Sequence, residues 1–235
     1  MGPLGRKALA ELLGSALLAA TVVGSGIAAQ RLSPHDPGLQ LLENSVVTGA
    51  VLVALILALG PVSAAFNPVV TLAERALGAV TTRAAALYLA AQVAGCAVGT
   101  VLANLMYGLP AVTLSTHRRA AGGLWLGEVV ATFGLLLVIF GVVRAGRGRL
   151  VGFAVGGYIT GAYWFTSSTS FANPAITVGR MLTDTFAGIA PGSVPLFVLM
   201  QLLGGALAVL AVLALYPEAP AVAERVAHLD EGMDR

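Results

Sequence analysis

Apolar residues fall in long, nearly unbroken runs at about 8–29, 40–60, 84–106, 122–143, 150–167 and 194–216. Each run approaches the roughly 20 apolar residues that a helix needs to cross the hydrocarbon layer of a bilayer. The pattern predicts six membrane-spanning helices. The first run also admits a signal-peptide reading, because Arg6 and Lys7 precede it and Ala28 and Ala29 follow it. Its length, and the return of a similar pattern at 127–143, favour a span. Two further apolar stretches, 68–79 and 174–186, are only about half as long and each begins at an Asn-Pro pair. A 68–79 helix would rise about 18 Å, half the hydrocarbon thickness. Asn is a strong helix N-cap and Pro is favoured at the first helical position, so each Asn-Pro marks the start of a half-helix. The preceding segments, Gly60-Pro61-Val62-Ser63 and 166–170, are poor continuations of a span. Irregular backbone at membrane depth must be buried in protein or line a wet cavity. Two half-helices starting at such segments therefore predict a pore. An Asn-Pro in an ordinary surface loop is the plainer reading of one pair, but the pairs recur at equivalent places.

That equivalence extends through the chain. AELLGSALL at 10–18 resembles GEVVATFGLLL at 127–137, pairing Glu11 with Glu128. AAFNPVVTLA at 64–73 resembles SFANPAITVG at 170–179, and AQVAG at 91–95 resembles MQLLG at 200–204. The offsets of 117, 106 and 109 residues differ only by loop insertions, so the chain reads as a duplication of a three-span unit. An odd number of spans inserts the second copy upside down. The expected fold is an all-α membrane protein, six transmembrane helices plus two re-entrant half-helices in an inverted 3+3 repeat. Repeat one covers about 8–106, repeat two about 122–216, and 217–235 forms a cytoplasmic tail, all within one transmembrane channel domain spanning 1–235.

Composition narrows the function. Hydrophobic residues make up 57% and charged residues 10% of the chain, against about 25% charged in soluble domains. A water-soluble globule and a disordered chain are both excluded. The formal charge of +2 is scattered, which disfavours nucleic acid as a partner. The single cysteine, Cys96, excludes an intrachain disulfide and any multi-cysteine metal site. His35, His117 and His228 fall in loops or the tail, and no catalytic or metal-binding constellation emerges, so neither an enzyme nor a cofactor is expected. Orientation follows from the basic residues. With the N-terminus inside, Arg6, Lys7, Arg75, Arg83, Arg144, Arg147, Arg149, Arg225 and Arg235 lie inside, against Arg31, Arg118, Arg119 and Arg180 outside. Both termini are expected to be cytoplasmic, in the plasma (inner) membrane.

These residues resemble the aquaporin and aquaglyceroporin channels, the major intrinsic proteins, over about 8–216. The resemblance rests on the paired boxes Asn67-Pro68-Val69 and Asn173-Pro174-Ala175 and on Glu11 and Glu128 within the first and fourth spans. It implies that the two asparagines donate to the permeant molecule and that the two carboxylates brace the re-entrant loops. It also implies a homotetramer with one pore per subunit. The residues agree on their own terms: an ionisable group inside a span normally faces the protein interior with a partner, although Glu11 lies close enough to a span end to snorkel to water. Gln92 and Gln201 read as inter-helix hydrogen-bonding groups.

The departures from the family pattern bear on selectivity. Most members carry an Arg directly after the second box; this chain has Ile176. The remaining filter positions align with Ser170, Gly161 and either Thr48 or Val47. The set Thr48, Gly161, Ser170 and Ile176 holds neither a charge nor an aromatic ring, which predicts a wide and weakly polar constriction. The loop Ser63-Ala64-Ala65-Phe66 is one residue short and lacks the usual His. Arg180, one turn beyond Ile176, either places its charge in the outer vestibule or serves as an interface residue or a partner for Asp184. Trp164 reads as packing under the filter, and Cys96 as packing.

A subgroup resemblance goes further. Tyr163-Trp164-Phe165-Thr166, Ile176-Thr177 and Leu182-Thr183-Asp184-Thr185-Phe186 are similar to bacterial aquaporin-like channels associated with arsenic resistance. The reading is a passive channel for small neutral solutes: water, glycerol-like polyols and trivalent arsenic hydroxide. The alternatives are a glycerol facilitator or plain water channel on the same fold, and an ion-coupled secondary transporter, since broken helices and inverted repeats occur there too.

Overall fold

The structure, a computed structural model, describes residues 1–216; the 217–235 tail lies outside the described residues. Among the described residues eight α-helices follow one another: α1 (Pro3–Leu32), α2 (Pro37–Leu59), α3 (Pro68–Ala76), α4 (Thr82–Met106), α5 (Gly122–Arg144), α6 (Val151–Phe165), α7 (Pro174–Arg180) and α8 (Val194–Leu215). No strand occurs among the described residues. Helices α1, α2, α4, α5 and α8 are long and apolar enough to cross a bilayer on their own. α6 has only 15 residues, is lengthened at its start by the 3₁₀ turn Gly148–Leu150, and stops two residues before its apolar run ends. There the backbone turns extended at Thr166 to begin the second re-entrant loop.

Both half-helices are shorter than their apolar stretches. α3 has 9 residues and α7 only 7, so the expected 68–79 and 174–186 helices end early. The backbone beyond α7 has found other partners. Leu182 O accepts from Thr113 N and from Asn104 Nδ2, while Ile189 N donates to Arg180 O. With those bonds made, nothing remains to extend the helix to 186.

Within each repeat the outer helices pack tightly, α1 on α4 and α5 on α8. A Cβ at Gly99 would stand 2.0 Å from Ala16 O, and one at Gly204 would stand 2.5 Å from Val129 O. Apolar burial gives helices in lipid little reason to associate, so such close packing at small residues supplies the contact instead. α2 and α6 cross between the repeats. The outward faces carry exposed Leu17, Phe153 and Leu210, whereas Glu11, Gln92, Glu128 and Gln201 are fully buried. Polar groups inside and apolar groups outside is the arrangement a lipid solvent demands.

Candidate pore

The two Asn-Pro boxes meet. Asn67 and Asn173 each cap their own half-helix, Asn67 Oδ1 accepting from Val69 N and Asn173 Oδ1 from Ala175 N and Ile176 N. Each amide then reaches across to the other repeat: Asn67 Nδ2 donates to Ala172 O at 2.8 Å, and Asn173 Nδ2 to Phe66 O at 2.8 Å. An amide nitrogen has two hydrogens, so each asparagine keeps one donor for another molecule. The accepting carbonyls belong to residues in the left-handed region, Phe66 at φ 48° and Ala172 at φ 46°. For residues with a side chain that conformation costs about 1–3 kcal/mol each and persists only where neighbours enforce it.

The carboxylates do the enforcing. Glu11 Oε1 accepts from Ser63 Oγ at 2.5 Å and Ala65 N at 2.9 Å, and its Oε2 from Phe66 N and Gln92 Nε2 at 2.7 Å each. Glu128 accepts from Phe171 N and Ala172 N at 2.9 Å each and from Gln201 Nε2 at 2.5 Å. Gln92 and Gln201 also donate to Thr71 and Thr177 on the half-helices. Glu11 is buried with its oxygens engaged, so it does not snorkel. A buried carboxylate is tolerable only when its oxygens are so occupied. Each one holds two successive N–H groups of its loop, and the carbonyl that follows them, Phe66 O or Ala172 O, accepts from the opposite asparagine.

A cavity of about 580 Å³ runs along this junction, from Lys7, Gly148 and Arg149 at the side where the chain begins, past Asn67 and Asn173, to Phe171 and Arg180 at the other. Thr48, Ser170 and Ile176 line it. Val47 does not: it is exposed on the outer face of α2. Gly161 does not reach the lumen either. The inward face of α6 is Gly152, Val155, Ile159 and Tyr163 at helical spacing, and Gly161, two residues from both Ile159 and Tyr163, points outward with nothing near its Cβ direction. Tyr163 stands at the lumen, its hydroxyl 3.4 Å from Thr48 Oγ1. The expectation of a lining without rings or charges therefore fails on both counts, since Arg180 lines the cavity as well. Trp164 is half-exposed on the outward side, its indole donating to Ser45 Oγ at 3.1 Å, rather than lying under the filter.

Arg180 is 3% exposed. Its Nε donates to Ala187 O, and its guanidinium carbon lies 3.4 Å from the centre of the Phe171 ring, a cation–π geometry. It is neither a lipid-interface residue nor the partner of Asp184. Asp184 instead accepts from Thr116 N at 2.8 Å and Thr116 Oγ1 at 3.0 Å, tying the 107–121 loop over the exit of α7. Those bonds hold its carboxyl below the usual carboxylate range, helped by nearby His117. Two lumen residues escaped the sequence analysis: Tyr163, whose helix face only the register of α6 reveals, and Glu74 at the opposite mouth. Glu74 stands seven residues after Asn67 as Arg180 stands seven after Asn173, a signal that the repeat alignment contained.

An all-helical inverted repeat with two half-helices meeting around a lined passage defines a membrane channel. Residues 3–162 match the Major intrinsic protein family. The chain is 50% identical over 202 residues to aquaglyceroporin AqpS of Rhizobium meliloti (strain 1021), covering 86% of each protein. It is 30% identical over 242 aligned positions to aquaporin AqpM of Methanothermobacter marburgensis, covering 89% of this chain and 97% of that one. The X-ray structure of the aquaglyceroporin from Plasmodium falciparum shares the fold at a TM-score of 0.72 and 19% identity, over 93% of this chain and 99% of that one. The chain belongs to the major intrinsic protein family, whose members are channels and not enzymes.

Proposed function

We propose that the chain is a passive channel for small neutral solutes: water, glycerol-like polyols and trivalent arsenic hydroxide. The observation that carries this reading is the central pair Asn67 and Asn173, each with one amide hydrogen left over and each beginning a half-helix against the cavity. Helix N-termini carry partial positive charge, and the nearest carboxylates, Glu11 and Glu128, are turned away to brace the loops. A cation at the midpoint meets a barrier, while a hydroxyl oxygen meets donors. The likeness to aquaglyceroporin AqpS supports the polyol part.

The filter in this reading is Thr48, Tyr163, Ser170 and Ile176, with Arg180 one turn further out supplying a guanidinium in place of the arginine absent at 176. An uncharged tri-hydroxy arsenic species presents hydroxyls much as glycerol does, and a constriction without an arginine directly after the second box leaves room for it. Residues 8–106 and 122–216 act as the two repeats of one channel domain, assembled as a homotetramer in the inner membrane, with the basic residues keeping both termini cytoplasmic. The secondary-transporter alternative requires a carboxylate between the repeats that is free to change partners; Glu11 and Glu128 are both fully engaged, and Glu74 lies at the mouth of the cavity rather than at the junction.

The test is flux into proteoliposomes of purified protein for water, glycerol, arsenite and protons. Rapid, linear, reversible uptake of the three neutral species with no proton current is expected. Saturable gradient-driven uptake overturns the channel, and arsenite uptake no faster than in empty vesicles removes arsenic while leaving a glycerol or water channel.

A further inference from the structure

Glu74 has no part in the machinery described so far. It sits in the last turns of α3, is only 7% exposed, and lines the cavity on the side where the chain begins. Neither carboxylate oxygen has a hydrogen-bond partner among the described residues, unlike Glu11 and Glu128, whose oxygens are all engaged. A carboxylate near a helix C-terminus is disfavoured by the helix dipole, so its position stabilises nothing locally. Beside it Tyr88, 4% exposed, lines the same wall, its hydroxyl also without a partner among the described residues. Lys7 lies at the rim. The inner vestibule thus joins a carboxyl group to a hydroxyl, in a passage lined there also by Ala64, Ala79 and Val80.

We propose that Glu74, with Tyr88, forms a solute-binding station in the vestibule on the N-terminal side, selecting neutral molecules that carry two or more hydroxyl donors. The Glu74 carboxyl presents two oxygens side by side, so two hydroxyl groups of one solute hydrogen-bond to it at once, and the Tyr88 hydroxyl adds a further partner. Water can fill the same place but gains less, because bulk water satisfies it equally well. The central asparagines offer donors and Glu74 offers acceptors, so a polyol exchanges one kind of partner for the other as it moves between them. Glu74 and Arg180 occupy equivalent positions in the two repeats, giving the passage a carboxyl at one mouth and a guanidinium at the other.

This inference rests on the channel reading, and the experiment separates the two. Proteoliposomes of wild type, Glu74→Gln and Glu74→Leu are assayed for water, ethylene glycol and glycerol. The expected result is a glycerol-to-water permeability ratio about tenfold lower in Glu74→Leu, a smaller fall in Glu74→Gln, and an intermediate loss for ethylene glycol. Tyr88→Phe, which keeps the ring, lowers the ratio in the same direction. A ratio unchanged from wild type in Glu74→Gln, whether or not both fluxes fall together, overturns the station while leaving the channel intact. Wild-type vesicles that conduct neither solute overturn the channel reading and the station with it.

Discussion

At the centre of the molecule Asn67 and Asn173 are interchangeable: each caps its half-helix, donates across the junction at 2.8 Å, and faces a loop held by a buried Glu and a Gln. Seven residues along each half-helix the likeness ends, with Glu74 in one repeat and Arg180 in the other, both buried against the lumen. The first position is fixed by a requirement that both repeats share, namely satisfying kinked backbone at membrane depth. The second faces a vestibule whose chemistry each mouth sets for itself. Duplication conserved the joint and left the rims free to diverge.

The sharpest way to break the comparison is at the braces. Glu11→Leu and Glu128→Leu each leave two loop N–H groups unpartnered in a buried site and take one of two acceptors from a glutamine amide, and each is expected to destabilise the fold by about 3–5 kcal/mol. Thermal unfolding in detergent and water flux should both collapse, and to a similar extent in the two variants. A large difference between them would show that the joint is not symmetric in energy. The filter comes next. Ile176→Arg adds a long cation beside Tyr163 and Ser170, and glycerol and arsenite permeability should fall about tenfold with water reduced less, read by stopped-flow light scattering. Arg180→Ala is expected to lower the glycerol-to-water ratio about threefold by removing its guanidinium donor; unchanged rates and selectivity would reduce Arg180 to a clasp on Phe171 and Ala187.

Two smaller effects follow. The Thr116 bonds hold the Asp184 carboxyl below its ordinary value of 3.8. A group whose pKa is depressed on folding contributes stability above its unfolded pKa and loses it as pH falls through the folded value. The 107–121 loop should therefore remain protected from hydrogen exchange down to about pH 4 and open below it, and Asp184→Asn should open it already at neutral pH. Cys96, on α4, is fully buried against α1, and a serine, Ser170, not a cysteine, stands on the cavity wall. Mercurials should inhibit only weakly; strong block that Cys96→Ser abolishes would show that Cys96 faces the passage.

The spans, the paired half-helix starts and the two braces were legible in the chain because each obeys a local rule: apolar length, Asn-Pro capping, or a charge inside a span that must find a partner. The repeat supplied their pairing. What misled was register. Counting back from Asn173 selected Gly161, yet the inward face of α6 is set by how it crosses α2, where Gly49 and Gly156 let the backbones touch, and that contact turns Tyr163 inward and Trp164 out. The half-helix ends were misjudged because apolar composition continues past Arg180 while the backbone bonds do not.

The order of apolar and polar residues by itself determined the solvent of this protein, its span count and the two asparagines at its centre, since those depend on hydrophobic length and capping along the chain. Only the tertiary structure decided which side chains share the lumen. That depends on helix rotation, which is fixed by contacts between residues far apart in sequence, and through it a tyrosine, an arginine and a glutamate came to line the passage.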